Sequence, residues 1–190
     1  MKKRILVVED ESITRMDISM MLEDNDYEVV AQAGDGEKAV EHAFSLNPDL
    51  IIMDIKMPKL NGLKASEIIS KKMNTPILIL TAYSQREYID KAKQANIMGY
   101  LVKPITEASL IPAVEIALRQ AENARAYREQ VENMNKQLAE RKMVEKAKGI
   151  IMEKFNLPED AAYKKIRKIS MNKQVPLEKV AKQIILKYNA

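Results

Sequence analysis

Polar side chains follow four apolar segments of the N-terminal half, each at the point where a segment ends: Glu9 and Asp10, Asp54, Thr81, and Lys103. Carboxylates that lie close together repel one another unless a cation sits among them. Carboxylate oxygens are ligands that Mg²⁺ prefers, and this ion keeps open positions that phosphate oxygens can fill. The set therefore predicts a Mg²⁺ site in which Asp54 acts as a nucleophile and accepts a phosphoryl group.

Two of these side chains carry no carboxylate and suit the handling of a phosphoryl group. The ammonium of Lys103 offsets charge on the transferring group, and the hydroxyl of Thr81 can donate a hydrogen bond to a phosphoryl oxygen. Any one of these acids, considered alone, is better interpreted as an ordinary loop or capping residue. Their shared position at the ends of apolar segments is what favours a phosphorylation site. The sole histidine, His42, lies in a predicted helix and is interpreted as a surface residue.

The elements that must position these residues alternate in type along the chain. Short apolar runs predict strands at residues 4–8, 28–33, 50–53, 77–80 and 98–102. Helical patterns begin at Ser12, cover 36–46, follow Gly62, cover 85–95 and follow Pro104. In the first of these helices the pattern places Ile13, Met16 and Met20 toward the core. Strands that alternate with helices imply a parallel sheet covered on both faces, with the site at the carboxyl ends of its strands.

The N-terminal part resembles the receiver domain of bacterial response regulators over about residues 3–120. The resemblance rests on the motifs VVEDE at 7–11, DLIIMDIKMP at 49–58, LTA at 80–82 and GYLVKP at 99–104, together with Gly62. It implies an α/β, flavodoxin-like (βα)5 receiver. In this family the residue at the position of Asp54 takes a phosphoryl group from a sensor histidine kinase, which is therefore an expected partner.

The same resemblance assigns ligands to the Mg²⁺ ion. Asp10 is expected to bind the ion directly, with Glu9, Asp54 and the backbone carbonyl of Lys56 completing the protein ligands. Glu9 stands where the family more often has Asp, a conservative change that should keep metal binding.

The resemblance also implies a switch pair and a special peptide bond. Tyr100 is expected to turn inward when Thr81 moves toward the phosphate, and the Lys103–Pro104 bond is expected to be cis. Beyond assisting its own phosphorylation and dephosphorylation, the chain is expected not to act as an enzyme. Its C-terminal part, residues 141–190, has no His, no Cys and few acids.

The middle of the chain continues as a predicted helix from Ser109 to about Lys154. One heptad frame places Ala117, Ala124, Val131 and Leu138 at position a, and Gln120, Tyr127, Met134 and Arg141 at position d. The a row is apolar and the d row is mixed, which predicts a marginal coiled coil. A weak association of this kind suits a dimer that is switched. A solvated linker helix is the alternative.

Charge is distributed unevenly along the chain. Residues 1–113 carry 14 basic and 17 acidic residues, a net of −3, whereas residues 141–190 carry 13 and 5, a net of +8. The basic C-terminal part indicates either a polyanionic partner or a solvated lysine-rich surface. Its apolar spacing predicts a small all-α unit of three helices, with Ala147, Ile166 and Ala181 among the inward residues.

Residues 170–176 are read as the link between the last two predicted helices. This link is longer than the three or four residues of a helix-turn-helix module, so DNA is not favoured.

The C-terminal part resembles the ANTAR domain over about residues 130–190, through AKGIIM at 147–152, AAY at 161–163 and IRKIS at 166–170. That family binds RNA hairpins in nascent transcripts and prevents transcription termination. The candidate RNA-contacting residues are Lys146, Lys148, Tyr163, Arg167, Lys168 and Lys173.

Together these patterns and resemblances predict a receiver at 1–120, a helical coiled-coil linker at 121–140 and an RNA-binding unit at 141–190. Phosphorylation is expected to promote a homodimer that engages a pair of RNA hairpins. A DNA-binding transcription factor and a module that binds another protein remain alternatives. The pattern is most similar to the antiterminators of ethanolamine utilisation in Gram-positive bacteria. The chain has no cysteine and no apolar run long enough to span a membrane, so a cytoplasmic location is expected.

Overall fold

The computed structural model describes residues 2–82 and 96–188, and its N-terminal part is organised by a parallel sheet. The strands are β1 Arg4–Val8, β2 Glu28–Ala33, β3 Leu50–Asp54, β4 Ile77–Thr81 and β5 Ile97–Val102. Their order is β2-β1-β3-β4-β5, and every adjacent pair is parallel. This order confirms the predicted flavodoxin-like fold.

Helices flank the sheet and form the rest of the chain. Within the described residues they are α1 Ser12–Asp24, α2 Gly36–Leu46, α3 Gly62–Ser70, α4 Glu107–Phe155, α5 Glu159–Lys173 and α6 Leu177–Tyr188. The helix predicted at 85–95 lies outside the described residues. The chain divides into two compact units, residues 1–125 and 126–190. Among the described helices, none has the length and apolarity needed to cross a membrane.

The core of the first unit lies on both faces of the sheet. In β1, Ile5 and Val7 join a cluster that includes residues of α1 and the start of α4, while Leu6 and Val8 join one that includes residues of α2 and α3. Strands β3 and β4 are buried along their whole length. Burial on both faces explains why these strands appear in the sequence as continuous apolar runs.

The inward face of α1 differs from the prediction. Ile13, Met16 and Met20 are exposed, and Ile18 and Leu22 fill the core instead. The prediction was wrong because α1 carries apolar side chains on more than one face, so spacing alone did not identify the buried face.

The second unit has a small core formed by the end of α4 with α5 and α6. Its buried residues are Ala147, Ile151, Ala162, Ile166, Val180, Ala181 and Ile184. Helix α5 begins after Pro158, and its first turn carries Glu159 and Asp160. These acids stabilise the positive end of the helix dipole, as the sequence pattern indicated.

The link between α5 and α6 is shorter than predicted. Helix α5 continues to Lys173, so only residues 174–176 separate it from Leu177. The chain turns at Gln174, which adopts a left-handed conformation with φ of 52° and donates its N–H to the Met171 and Ser170 carbonyls. Residues 170–173 contain no Gly or Pro to end the helix earlier. The prediction of a long link is therefore wrong, and the length of the link does not disfavour DNA binding.

Only part of the predicted heptad repeat is exposed on α4 and free to pair with another helix. Ala117, the first residue of the predicted a row, is buried in the core of the first unit. In the second unit, Tyr127, Val131, Met134 and Leu138 are 70%, 55%, 61% and 52% exposed. This spacing places them along one side of α4, and they are called the α4 stripe below. The coiled coil itself stays a prediction.

Candidate functional site

The carboxyl ends of four strands meet at one edge of the sheet and bring the predicted polar residues together. The strand registers pair Val8 with Met53, Asp54 with Leu80, and Thr81 with Val102. The last residues of β3 and β4, and the residues that follow β1 and β5, therefore line a common cleft of about 360 Å³. Its lining includes Glu9, Asp10, Asp54, Lys56, Thr81 and Lys103.

Lys103 joins two of the carboxylates in this cleft. Its Nζ lies 2.7 Å from Oε2 of Glu9 and 3.1 Å from Oδ2 of Asp54. Glu9 is fully buried, and Asp54 is almost so. The second oxygen of Asp54, Oδ1, accepts a hydrogen bond of 2.8 Å from the N–H of Ile55. A buried carboxylate requires such partners, because an uncompensated buried charge is strongly unfavourable.

The titration of Glu9 and Lys103 reflects this crowding. Burial raises the pKa of Glu9, the ammonium of Lys103 opposes that rise, and the negative charge of Asp54 adds to it. Burial alone would lower the pKa of Lys103. The hydrogen bonds that its ammonium donates to Glu9 and Asp54, and the negative charges of these two residues, outweigh the effect of burial, so the pKa of Lys103 is raised. The site therefore holds more negative charge than one lysine neutralises.

The donor set fits a hard divalent cation. Carboxylate oxygens of Glu9, Asp10 and Asp54 all lie within 4.8 Å of one another. Oε2 of Glu9 is buried without a hydrogen bond of good geometry, although it forms an ion pair with Lys103. Mg²⁺ takes oxygen ligands, including one or two carboxylates, and keeps several waters, so this oxygen-only set fits the ion.

The predicted switch residues occupy two different environments. Thr81 is buried at the end of β4 and lines the cleft. Tyr100 is partly buried against the core cluster of the α2 and α3 face, and this burial raises the pKa of its phenol. The Lys103–Pro104 bond is cis, as expected. The movement of the pair stays a prediction.

Sequence reasoning missed Arg15, which holds the acidic segment after β1. Its Nη1 donates to the backbone oxygen of Glu9 at 2.5 Å and to that of Asp10 at 3.4 Å. Nη2 donates to the hydroxyl of Ser12 at 3.3 Å. The side chain thus fixes the backbone from which two proposed metal ligands project. The only signal in the sequence is a basic residue in the first helix, a few positions after the two acids.

Two glycines fix the segment that follows Asp54. A Cβ on Gly62 would lie 1.9 Å from the Asp54 carbonyl oxygen, and one on Gly36 would lie 2.1 Å from that of Leu60. No side chain fits at such distances. Gly62 also donates its N–H to the Ile55 oxygen at 3.0 Å.

An ion pair ties the same segment to α2. Oδ1 of Asp35 caps the helix by accepting from the N–H of Lys38, while Oδ2 lies 2.8 Å from Nζ of Lys59. The Lys38 N–H contributes most to lowering the pKa of Asp35, and Lys59 adds to it. Neither residue was identified from the sequence, since only the fold brings α2 beside this segment.

The candidate RNA residues of the second unit fall into two groups. Lys146, Tyr163, Arg167, Lys168 and Lys173 are exposed. Tyr163 and Arg167 lie one turn apart on α5, so their side chains share one side of that helix. The geometry leaves these residues accessible to a partner, and contact with RNA stays a prediction.

Lys148 forms the second group, because it is buried. Its side chain is 11% exposed, and its Nζ lies 2.5 Å from Glu145 and 2.6 Å from Glu159. Hydrogen bonds to Glu145 and then Glu159 raise the pKa of Lys148. The ammonium therefore joins α4 to the start of α5, a role that the sequence did not indicate.

Both units match known domain families. Residues 5–115 match the response regulator receiver domain, and residues 132–185 match the ANTAR domain.

Individual relatives agree with these matches. The transcriptional regulatory protein PdtaR of Mycobacterium tuberculosis is 40% identical over 183 residues, covering 96% of this chain and 89% of that protein. The chemotaxis protein CheY of Thermotoga maritima is 34% identical over 115 residues, covering 60% of this chain and 96% of that protein. The solved response regulator domain of Thermotoga maritima CheB has a TM-score of 0.58 and 33% identity, covering 65% of this chain and 98% of that chain. None of these matches tests the likeness to ethanolamine-utilisation antiterminators, which stays a prediction.

Proposed function

The chain belongs to the response regulators that join a receiver domain to an ANTAR domain, and on that premise we propose that a sensor histidine kinase phosphorylates it on Asp54. The observation that carries the proposal is the meeting of Glu9, Asp10, Asp54 and Lys103 in one cleft. Phosphorylation then promotes a homodimer that binds a pair of RNA hairpins and prevents transcription termination. Beyond its own phosphorylation chemistry, the proposed output is binding and not catalysis.

The residues of the cleft have distinct parts in the proposed transfer. An oxygen of Asp54 bonds to phosphorus while the bond between phosphorus and the kinase histidine breaks, and the electron pair stays on the histidine nitrogen. The ammonium of Lys103, 3.1 Å from Asp54, offsets negative charge on the transferred group. The hydroxyl of Thr81 donates a hydrogen bond to a phosphoryl oxygen.

The three carboxylates are the proposed Mg²⁺ ligands, together with the backbone carbonyl of Lys56. Support comes from the carboxylate oxygens of Glu9, Asp10 and Asp54, which all lie within 4.8 Å of one another. When bound, the ion supplies positive charge against the phosphoryl oxygens. Arg15 keeps the backbone of Glu9 and Asp10 in place for this purpose.

The proposed RNA-binding surface lies in the second unit. Its support is the net charge of +8 over residues 141–190 and the exposure of Lys146, Tyr163, Arg167 and Lys168. Basic side chains bind phosphates, and an exposed tyrosine can stack on an unpaired base.

The α4 stripe supports the proposed dimer. Four large apolar side chains at heptad spacing are exposed on one side of the helix, and a second copy of the chain would bury them in a short coiled coil. Such a small seam suits an association that phosphorylation controls. Sedimentation velocity with and without beryllofluoride should show an increase in mass on activation, and an unchanged mass would rule out dimer switching.

A DNA-binding output is a second candidate, which the three-residue link between α5 and α6 favours. A link of this length matches the turn of helix-turn-helix modules. Competition between a tandem-hairpin RNA and a duplex DNA of matched length distinguishes the two. Displacement of bound RNA only by RNA supports the first proposal, while preferential binding of the duplex supports the second.

A further inference from the structure

Two aromatic rings and three lysines gather where the three helices of the second unit come together. Phe155 ends α4 and Tyr188 ends α6, and their ring centroids are 6.1 Å apart with the planes nearly perpendicular. Nζ of Lys165, on α5, lies 3.7 Å from the Phe155 centroid. The ammonium groups of Lys154 and Lys187 lie 5.8 Å and 5.3 Å from the Tyr188 centroid. These five residues form the aromatic–lysine cluster.

The lysines of this cluster have no ion-pair partner among the described residues. Over residues 2–82 and 96–188, no carboxylate forms an ion pair with Lys154, Lys165 or Lys187. Lys164, which is adjacent to Lys165 in the sequence, does form one, at 2.7 Å from Asp160. In the part of the chain that the structure describes, the cluster therefore presents three cations without a carboxylate partner, of which Lys154 and Lys187 are exposed and Lys165 is half-buried.

The cluster also presents an aromatic surface. Phe155 is 42% exposed, a large fraction for a phenylalanine at the edge of a small core. The exposed ring of Phe155, beside cations that have no carboxylate partner among the described residues, matches the composition of sites for unpaired nucleotides, where bases stack on rings and phosphates lie on ammonium groups. Duplex nucleic acid offers phosphates but no free base face.

We propose that the aromatic–lysine cluster binds an unpaired base of single-stranded RNA, with the base stacked on Phe155 and the flanking phosphates on the three lysines. The proposal rests on the RNA-binding function proposed above and adds a contact site separate from Tyr163 and Arg167. Lys165 is half-buried, and the contact of such an ammonium with a ring is no stronger than the stacking of a base on it. A base can thus displace Lys165 from the ring, and the released ammonium pairs with a phosphate.

The test uses the full chain and a short single-stranded oligoadenylate in which an aminopurine fluorophore replaces one adenine. Neighbouring adenines quench this fluorophore in the free strand. Transfer of the fluorophore from the base stack onto Phe155 changes its emission, whereas contacts to phosphates alone leave the stack intact. We expect Phe155→Leu to abolish the emission change and to weaken binding about tenfold or more. Phe155→Tyr keeps the ring and should restore both. Circular dichroism checks that each variant is folded.

Lysine variants test the charge part of the site. Lys165→Gln should weaken binding and reduce the slope of log affinity against log salt by about 0.7, the value for one phosphate on a single strand. Lys164→Gln is the matched control, because Lys164 is on the same helix but pairs with Asp160. It should change the affinity and the slope much less.

Three results would overturn the proposal. If wild type binds the oligoadenylate and Phe155→Leu retains both the affinity and the emission change, the ring is not a stacking site, although RNA binding itself stands. If polyglutamate displaces the oligoadenylate as well as unlabelled RNA does, the cluster recognises only negative charge. If wild type binds neither the oligoadenylate nor a tandem-hairpin RNA, the proposed RNA-binding function fails as well.

Discussion

Replacing Gly62 by alanine should damage the phosphorylation site through a steric clash with the backbone. An added Cβ would lie 1.9 Å from the Asp54 carbonyl oxygen, and Cβ contacts under 3.0 Å do not occur in folded proteins. The two atoms must therefore separate by about 1.1 Å. The obstacle cannot rotate away, because it belongs to the last residue of β3.

The size of the effect follows from two opposing terms. Forcing an extra methyl group into a packed site costs about 1–3 kcal/mol, while alanine in place of glycine within a helix contributes up to about 1 kcal/mol. The clash should prevail, so the first unit should lose roughly 1–2 kcal/mol of unfolding free energy. Asp54 should also shift relative to Glu9 and Asp10, which should weaken Mg²⁺ binding.

Gly149 provides a matched control in the same chain. It lies within α4, and an added Cβ would meet nothing within 4 Å. Gly149→Ala should therefore stabilise the second unit by about 1 kcal/mol. Hydrogen exchange under increasing urea reports the two units separately. The steric reasoning is refuted if Gly62→Ala leaves the first unit as stable as wild type.

Three further predictions concern charged side chains. Arg15→Leu should weaken Mg²⁺ binding about tenfold by calorimetry, since the acids after β1 lose a charged hydrogen bond; an unchanged affinity would show that Arg15 does not position them. The pKa of Asp35 is lowered in the fold. Its carboxylate therefore stabilises the folded protein at pH values above the ordinary pKa of Asp, and this contribution is lost as the pH falls through the lower pKa of the folded state. Urea midpoints of wild type and Asp35→Asn should therefore differ at neutral pH and converge in acid, and a constant difference would contradict the assigned contacts. Lys148→Met should lower the stability of the second unit without changing the salt dependence of RNA binding. Arg167→Gln should instead reduce the slope of log affinity against log salt by roughly 0.7–0.9. Equal slopes for the two variants would be inconsistent with the buried placement of Lys148.

The sheet and its cleft were predictable from the sequence for a physical reason. Strands buried on both faces appear as short apolar runs, and a polar residue directly after such a run must lie at the edge of the sheet. Glu9, Asp54 and Lys103 could therefore be placed together without knowledge of any contact. The parallel order then made them neighbours.

Features that depend on packing between helices were not predictable in this way. Helix α1 has apolar residues on more than one face, so Ile13 was assigned to the core although Ile18 occupies it. Lys148 appeared as a surface cation, but Glu145 and Glu159 hold it at a helix contact. The cluster around Phe155 joins residues of three helices whose arrangement no local pattern encodes.

A fluorescence anisotropy titration measures whether the state of Asp54 controls RNA binding. A labelled tandem-hairpin RNA is titrated with the full chain in Mg²⁺, with and without beryllofluoride, alongside Asp54→Ala. Beryllofluoride should tighten RNA binding by the wild type, and the variant should not respond. Equal affinity in the presence and absence of beryllofluoride, or an equal response from Asp54→Ala, would show that Asp54 does not control RNA binding.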